Sequence, residues 1–523
     1  MPTFIDGQQN LAALSVPGTY VDIIPPRPIA NGAPTNIEGL VGVASWGPVN
    51  APVLFATPDD CKRVLGVPMV RKHDIATFVW AATGVGGIVG FRGVRVTDGT
   101  DTAATGTLQG LTLTAKFTGS LGNTISVTLS AGTQATSTRA TVSFNGQTPE
   151  VFNNIIGTGN AFWLALAAAI NNGTPYGAPS NYVVAAATAS IIAPVITGAA
   201  ASVALTGGTD GASGVTDAML VGSDVTPRTG MYALRGTGID AFALCDLTDD
   251  TTWGVQDAFA LSESALAVNA TTSGDTISGA IAARNTVGLD DFPTWLLVGD
   301  WPSFYDTQNQ TQRIVSPSAM ALGLLGNLSP EQSPLNKILR GVNATQHSTA
   351  NLVYSNPELQ LANGGGVDLI VGPPTTPGGQ YFSFATGRNA SSNTGANGIE
   401  YSRMTNFLAR SFQGPVFGSL IGRLQSSRPN DQTRQDATNI ASGFLADLQN
   451  PALGSNGNGM IDSFSVTCDL TNNPVSLQAR GFLFLYATVV YLRVVRYFVV
   501  KLAGGAQPQV LVQTIQPTPA QFA

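Results

Sequence analysis

His73 and His347, Cys61, Cys245 and Cys468, and the adjacent aspartates Asp249-Asp250 and Asp290-Asp291 are the first places to look for chemistry in this sequence. Clustered His and Cys would hold a metal, a His beside a hydroxyl or thiol would activate a nucleophile, and facing carboxylates would move protons. The spacing supports none of these strongly. The two histidines are isolated from each other and from the cysteines, and the cysteines form no CxxC pair. No GxSxG, HExxH, P-loop or EF-hand pattern occurs. The acidic pairs lack a specific setting and read as turn positions. The GxG at 157–159 lacks the third glycine and the later acidic residue of a dinucleotide site, so it reads as a turn before a helix. We therefore expect no catalytic set, no metal and no cofactor.

The elements that would position such residues read as follows. Pro17-Gly18 turns into a short strand at 20–24, which three prolines stop. Apolar strands are expected at 39–44 and 53–56, a helix at 74–82, and a strand at 88–96 after the glycines of TGVGG. From 97 to about 205 the texture is Thr, Ala, Ser and Gly with alternating strands, interrupted by one helix at 161–170. Between 215 and 400 buried strands (240–245, 294–298) alternate with helical patterns (256–268, 318–325), which implies an α/β layer. The clearest helical stripe is Ala437, Ile440, Ala441, Phe444, Leu445 and Leu448, with Asn430 or Asp431 as cap and Asn450-Pro451 as stop. A second helix is expected at 402–412. The organisation expected is an N-terminal arm (1–24), a core domain in two parts (25–96 and 206–400), a β-rich outer insertion (97–205), a C-terminal α+β domain (401–503) and a strand arm (504–523). The fold class is α/β (α+β), multi-domain.

The run GFLFLYATVVYLRVVRYFVVKL, 481–502, is long enough to cross a bilayer. Its thirteen Leu, Val and Phe residues contribute about −4 to −8 kcal/mol, and Arg493 and Arg496 cost about +5 to +7 kcal/mol. Insertion is near break-even at best, and the Phe, Tyr, Thr and Val content is strand chemistry. Two strands are expected, 482–491 and 496–503. The first is apolar on both faces, so it belongs to core or interface and not to membrane. A final strand candidate, VLVQTI at 510–515, follows Gly504-Gly505. Alone it cannot be stable, and its tether allows pairing with another subunit.

Charged residues are only 11% of the chain, against about a quarter in an ordinary globular protein. Either the surface is neutral and Ser/Thr/Asn-rich, or much of it is covered by other chains. The net charge of −7 argues against a sequence-independent grip on nucleic acid. From 401 onward, nine Lys or Arg face five Asp or Glu, so that segment is basic on an acidic body. Two readings stand: a partner with an acidic face, or a chance cluster of arginines. The N-terminus has no secretory pattern, so cytosolic synthesis with reduced thiols is expected. Buried free cysteines and pairing between subunits both remain open.

The stretches PGTYV at 17–21, GLVGVA at 39–44, GPVNAPV at 47–53, FRGVRV at 91–96, LTLTAKFTGSLGNTISVTL at 111–129, LTGGTDG at 205–211, RTGMYAL at 228–234, SPLNKILRGV at 333–342 and FSVTCDLTNNP at 464–474 follow one another along the chain. In that order they resemble one family, the contractile tail sheath proteins of bacteriophages. Two departures are FATGR at 384–388 and LRVV at 492–495, where the family has a Trp-Gly-Ala-Arg-Thr-like stretch and prolines. The resemblance implies a structural subunit, not an enzyme. Its partners would be itself, in stacked rings of a helical sheath, an inner tail tube protein, and baseplate and tail terminator proteins, with no nucleic acid and no membrane insertion. It implies residence in a virion tail after synthesis in a host cytoplasm, and contraction that drives the tube through the host envelope. Strand arms exchanged between subunits would involve Thr19, Tyr20, Val21 and Val510, Leu511, Val512, Gln513, Thr514 and Ile515. Arg403, Arg410, Arg493, Arg496 and Lys501 are the candidates for holding an acidic tube, ordinary ion pairs being the alternative for each. A phage-derived injection particle is a close alternative. A β-rich secreted adhesin or depolymerase would need an export signal and paired acids.

Overall fold

Strands that are apolar on both faces belong in the middle of a parallel sheet covered by helices, and the central sheet of this chain is built that way. The computed structural model describes residues 32–88, 90–372, 381–454 and 457–497, together with the backbone of Thr3–Ile5 and Val21–Ile23. The central sheet runs Thr294–Leu297, Leu266–Ala270, Ala241–Leu244, Ile37–Gly42, Gly90–Arg95 and Pro52–Phe55. All neighbours are parallel except the edge strand Pro52–Phe55, which is antiparallel to Gly90–Arg95. Helices Ile75–Val85 and Pro317–Leu325 pack on one face, around Phe78, Phe91, Trp295 and Leu322. The opposite face buries Phe242, Trp253, Phe259 and Leu296 beneath helices Trp253–Glu263 and Ile277–Thr286.

The expected helix at 256–268 is corrected. The helix Trp253–Glu263 ends at Ser264, which is left-handed (φ 51°), and Leu266–Ala270 is a fully buried strand. An apolar run shared between a helix end and a buried strand has no period that separates them.

Residues between about 103 and 205 gather around a core of their own. One antiparallel sheet runs Glu150–Ile155, Thr138–Ser143, Ser126–Ala131 and Ser202–Ala204, and another runs Val183–Ala187, Leu111–Ala115 and Thr105–Leu108. The helix Asn160–Asn172 supplies Phe162, Trp163, Leu166 and Ile170 to that core. Chain entry and exit lie side by side through the bridges Thr102↔Thr209 and Thr105↔Thr206. Arg95, fully buried, locks this stem to the central sheet by donating to the carbonyls of Gly47 (2.8 Å), Thr118 (2.6 Å) and Asp210 (3.2 Å).

The last quarter has a third centre. Helix Gln432–Gln449 buries the stripe Ala437, Ile440, Ala441, Phe444, Leu445 and Leu448, and the Asp431 carboxylate accepts the Arg434 N–H as its N-cap. Helix Ile399–Phe412 joins two centres, with Ile399 in the central core and Met404, Phe407 and Leu408 in the C-terminal cluster. Ala33 donates its N–H to Ser411 Oγ (3.0 Å), which ties the start of the described core segment to that helix. Among the described residues no helix is long and apolar enough to cross a membrane.

Candidate assembly surface

Among the described residues the C-terminal cluster supports a sheet of two strands, Ile461–Thr467 and Tyr486–Tyr491, antiparallel with Phe464 opposite Val489 and Thr467 opposite Tyr486. Phe464, Val466, Val489 and Tyr491 turn inward onto the helices. The other face is left to solvent, with Tyr486 58% and Val490 42% exposed. Upstream, Phe482 and Phe484 are stacked with ring centroids 5.9 Å apart, and both are exposed. Downstream, Val495 and Tyr497 are about three-quarters exposed. Two strands alone bury too little to be independently stable, and this pair leans on the helix Gln432–Gln449 for its one dry face.

This corrects the expected strand at 482–491. Only its second half is strand, and the protomer covers one face, so the segment is not core. Asn473 explains the short strand: its side chain takes the Phe484 N–H (2.6 Å) and gives its amide to the Phe484 carbonyl (2.8 Å), so those groups are withdrawn from any ladder.

The arginines separate into three classes. Arg403 is buried, donating to Asp240 (3.0 Å) and to the carbonyls of Leu328 (2.9 Å) and Thr35 (3.0 Å). Arg410 pairs with the same Asp240 and with the Ile239 carbonyl. Neither is a surface cation able to meet a tube. Both instead clamp the helix Ile399–Phe412 to the amino end of the strand Ala241–Leu244. Asp240 just ahead of an apolar strand was the missed signal, since a buried carboxylate requires a cationic or hydrogen-bonding partner. Glu38 is fully buried beside this clamp; burial first, then the Asp240 charge, push its carboxyl well above the usual range. Arg496 is half-buried and donates to the Thr386 carbonyl (2.6 Å) and Glu400 (3.3 Å). Arg493 is exposed and has no ion pair among the described residues. Lys501, Thr19, Tyr20 and 510–515 lie outside the described residues. Val21 lies in the strand Val21–Ile23, parallel to Thr3–Ile5 of the same chain.

His73 is less isolated than its spacing suggests. Its Nδ1 lies 2.7 Å from the Cys245 carbonyl, its Nε2 3.4 Å from Asp217, and its N–H donates to Asp246 (3.1 Å). The sheet brings these together at the carboxyl ends of Ile37–Gly42 and Ala241–Leu244. Burial lowers the His73 pKa, and burial raises that of Asp246 to about 6. The ring is 2% exposed, and its contacts fasten the strand end to the following helix. Asp249 caps a helical turn, and Asp290 accepts from Ser392, both on the surface side of the fold. The three cysteines are buried and free.

No family model and no curated protein matches the sequence. Solved structures do match the fold. The sheath tail protein of Listeria innocua aligns over 88% of this chain and 96% of its own, with a TM-score of 0.59 and 16% identity. The sheath tail protein of Desulfitobacterium hafniense aligns over 91% and 100%, with a TM-score of 0.54 and 15% identity. The helical sheath of the anti-feeding prophage, in its contracted state, aligns over 94% and 100%, with a TM-score of 0.53 and 10% identity. Over about nine-tenths of its length the chain thus has the fold of the tail sheath proteins.

Proposed function

We propose that this chain is the repeating subunit of a contractile sheath that polymerises around an inner tube and drives it through a host envelope. The observation that carries this reading is the C-terminal sheet, two-stranded among the described residues and with Tyr486 and Val490 exposed on its outer face, in a chain of sheath fold. Strand addition from neighbouring chains supplies backbone hydrogen bonds and covers apolar side chains in one step. Thr19, Tyr20 and Val21 at one end, and Val510 to Ile515 at the other, are the proposed donors. A mesh linked this way stays connected while the core domains slide, and two packings that differ by roughly a few kcal/mol per subunit make the sleeve bistable. Arg493 is the strongest remaining candidate for contact with an acidic tube, with Arg496 and Lys501 beside it. Exposed pairs of this type are weak and screened by salt, which suits a grip that must release.

The phage tail is our first reading, with baseplate and tail terminator proteins as end partners and the virion as the site of residence. The likeness to the anti-feeding prophage sheath supports a phage-derived injection particle as the second. Electron microscopy of the purified protein tests the shared part: sleeves or rings are expected, and a monodisperse monomer at all concentrations contradicts it. Removing 504–523 is expected to leave a folded monomer that no longer polymerises, and polymers from that variant would refute the exchanged-strand arm.

A further inference from the structure

The carboxyl ends of Ala241–Leu244 and Leu266–Ala270 open on a recess of about 440 Å³ whose walls include Asp250, Trp253, Thr271 and Asp275. Two of its walls are buried polar groups with nothing to bond. Thr271 is 3% exposed and Trp253 fully buried, yet among the described residues Thr271 Oγ1 and Trp253 Nε1 have no hydrogen-bond partner. A buried donor or acceptor without a partner is unfavourable, so the site is shaped for an occupant. The occupant must offer an acceptor to the indole N–H and positive charge to the rim. Asp275 accepts only the neighbouring Thr276 N–H (2.8 Å), and Asp250 has no cationic partner among the described residues. An anion is thereby excluded, and a polypeptide turn with basic side chains offers both a carbonyl and a cation.

The chain carries such a turn at the opposite edge of the same sheet. Lys337 and Arg340, within SPLNKILRGV, are exposed and unpaired among the described residues, with Ile338 53% exposed between them. Their position follows from the fold. Helix Ile75–Val85 starts at the carboxyl end of Ile37–Gly42, where Ile75 N–H donates to the Val43 carbonyl (3.0 Å), and runs back along the sheet. Its far end meets Gly341, where an added Cβ would lie 3.7–3.8 Å from Gly84. Upstream of that stretch, the Leu328 carbonyl accepts from Arg403 beside Asp240, just ahead of the strand Ala241–Leu244.

We infer that the Lys337–Ile338–Arg340 turn of one subunit seats in the Asp250–Thr271–Asp275 recess of a second copy. Unlike patches at opposite edges form a heterologous contact, which repeats in an open stack rather than closing in a dimer. This rests on the sheath reading and adds a core-to-core contact that is independent of the exchanged arms.

The test reverses charge on each side of the full chain: Asp250→Lys with Asp275→Lys, Lys337→Glu with Arg340→Glu, and all four together. Sedimentation and electron microscopy give the concentration at which polymer forms, and circular dichroism confirms that each variant folds. Each one-sided reversal is expected to raise that concentration about tenfold or more, and the fourfold swap to restore it to within about threefold. Thr271→Val, which keeps the shape and removes the hydroxyl, is expected to raise it about threefold. Folded one-sided variants that polymerise like the parent, or a fourfold swap that fails to rescue, overturn the contact while leaving the sheath reading intact. A parent chain that never polymerises overturns both.

Discussion

The central sheet and the C-terminal sheet use similar residues to opposite ends. Leu40, Val41, Phe242 and Leu296 lie in a six-stranded sheet with helices on both faces, and each is fully buried within one chain. Phe482, Phe484, Tyr486 and Val490 belong to an equally apolar run, yet they lie on or just before one strand of a two-stranded sheet and remain more than a third exposed. The first region finishes its own burial, with helices over both faces. The second does so on one face only. A patch of this kind marks a surface meant for a partner, so the difference separates what folds the subunit from what assembles it.

That contrast can be broken by mutation, beginning in the core. Trp295 is fully buried against Phe384, with ring centroids 4.7 Å apart. Trp295→Ala should cost the isolated subunit about 4 kcal/mol, measured by chemical denaturation. Asp240→Asn should cost about 3 kcal/mol, because it strands Arg403 and Arg410 in the interior. A loss below about 1 kcal/mol would show that the two arginines reach water or another partner, which would return them to the list of tube contacts.

The Asp246 pair sharpens the comparison by pH. Its folded pKa is raised from the ordinary 3.8 to about 6. Above pH 6 the folded chain carries a buried carboxylate that the unfolded chain keeps in water. Between those two values that cost develops, and below about pH 4 both states hold the proton. Asp246→Asn, which still accepts the His73 N–H, should therefore stabilise by roughly 3 kcal/mol above pH 6 and by nothing below pH 4. Equal stabilisation at both ends of a pH series of thermal melts would contradict this. The smallest effect is expected in the open sheet: Tyr486→Ala should change subunit stability by under about 0.5 kcal/mol while weakening assembly, whereas a core residue does the reverse.

Much of this division was legible in the residues. The stripe from Ala437 to Leu448 located its helix because one face is apolar and the other is not. The runs around Leu40, Phe242 and Trp295 read as buried strands because both faces are apolar. Three things were not legible, each for a physical reason. The boundary near Ser264 depends on one left-handed residue between two apolar segments. The pairing of Asp240 with Arg403 and Arg410 joins residues more than 160 positions apart, and spacing along the chain holds no trace of it. The run at 482–491, strand only over Tyr486–Tyr491, is apolar at alternate positions for different reasons: Val489 and Tyr491 pack towards Phe464 and its helix, while Tyr486 and Val490 are open. Sequence alone reports that a face is apolar, not whose atoms cover it.

The most direct measurement of the central claim is a high-resolution reconstruction of the polymer formed by the purified chain. The account predicts that the sheet of Ile461–Thr467 and Tyr486–Tyr491 gains hydrogen-bonded strands from other protomers, and that Tyr486 and Val490 become buried. A polymer in which both chain ends fold back on their own body, with no backbone ladder crossing between protomers, would contradict it.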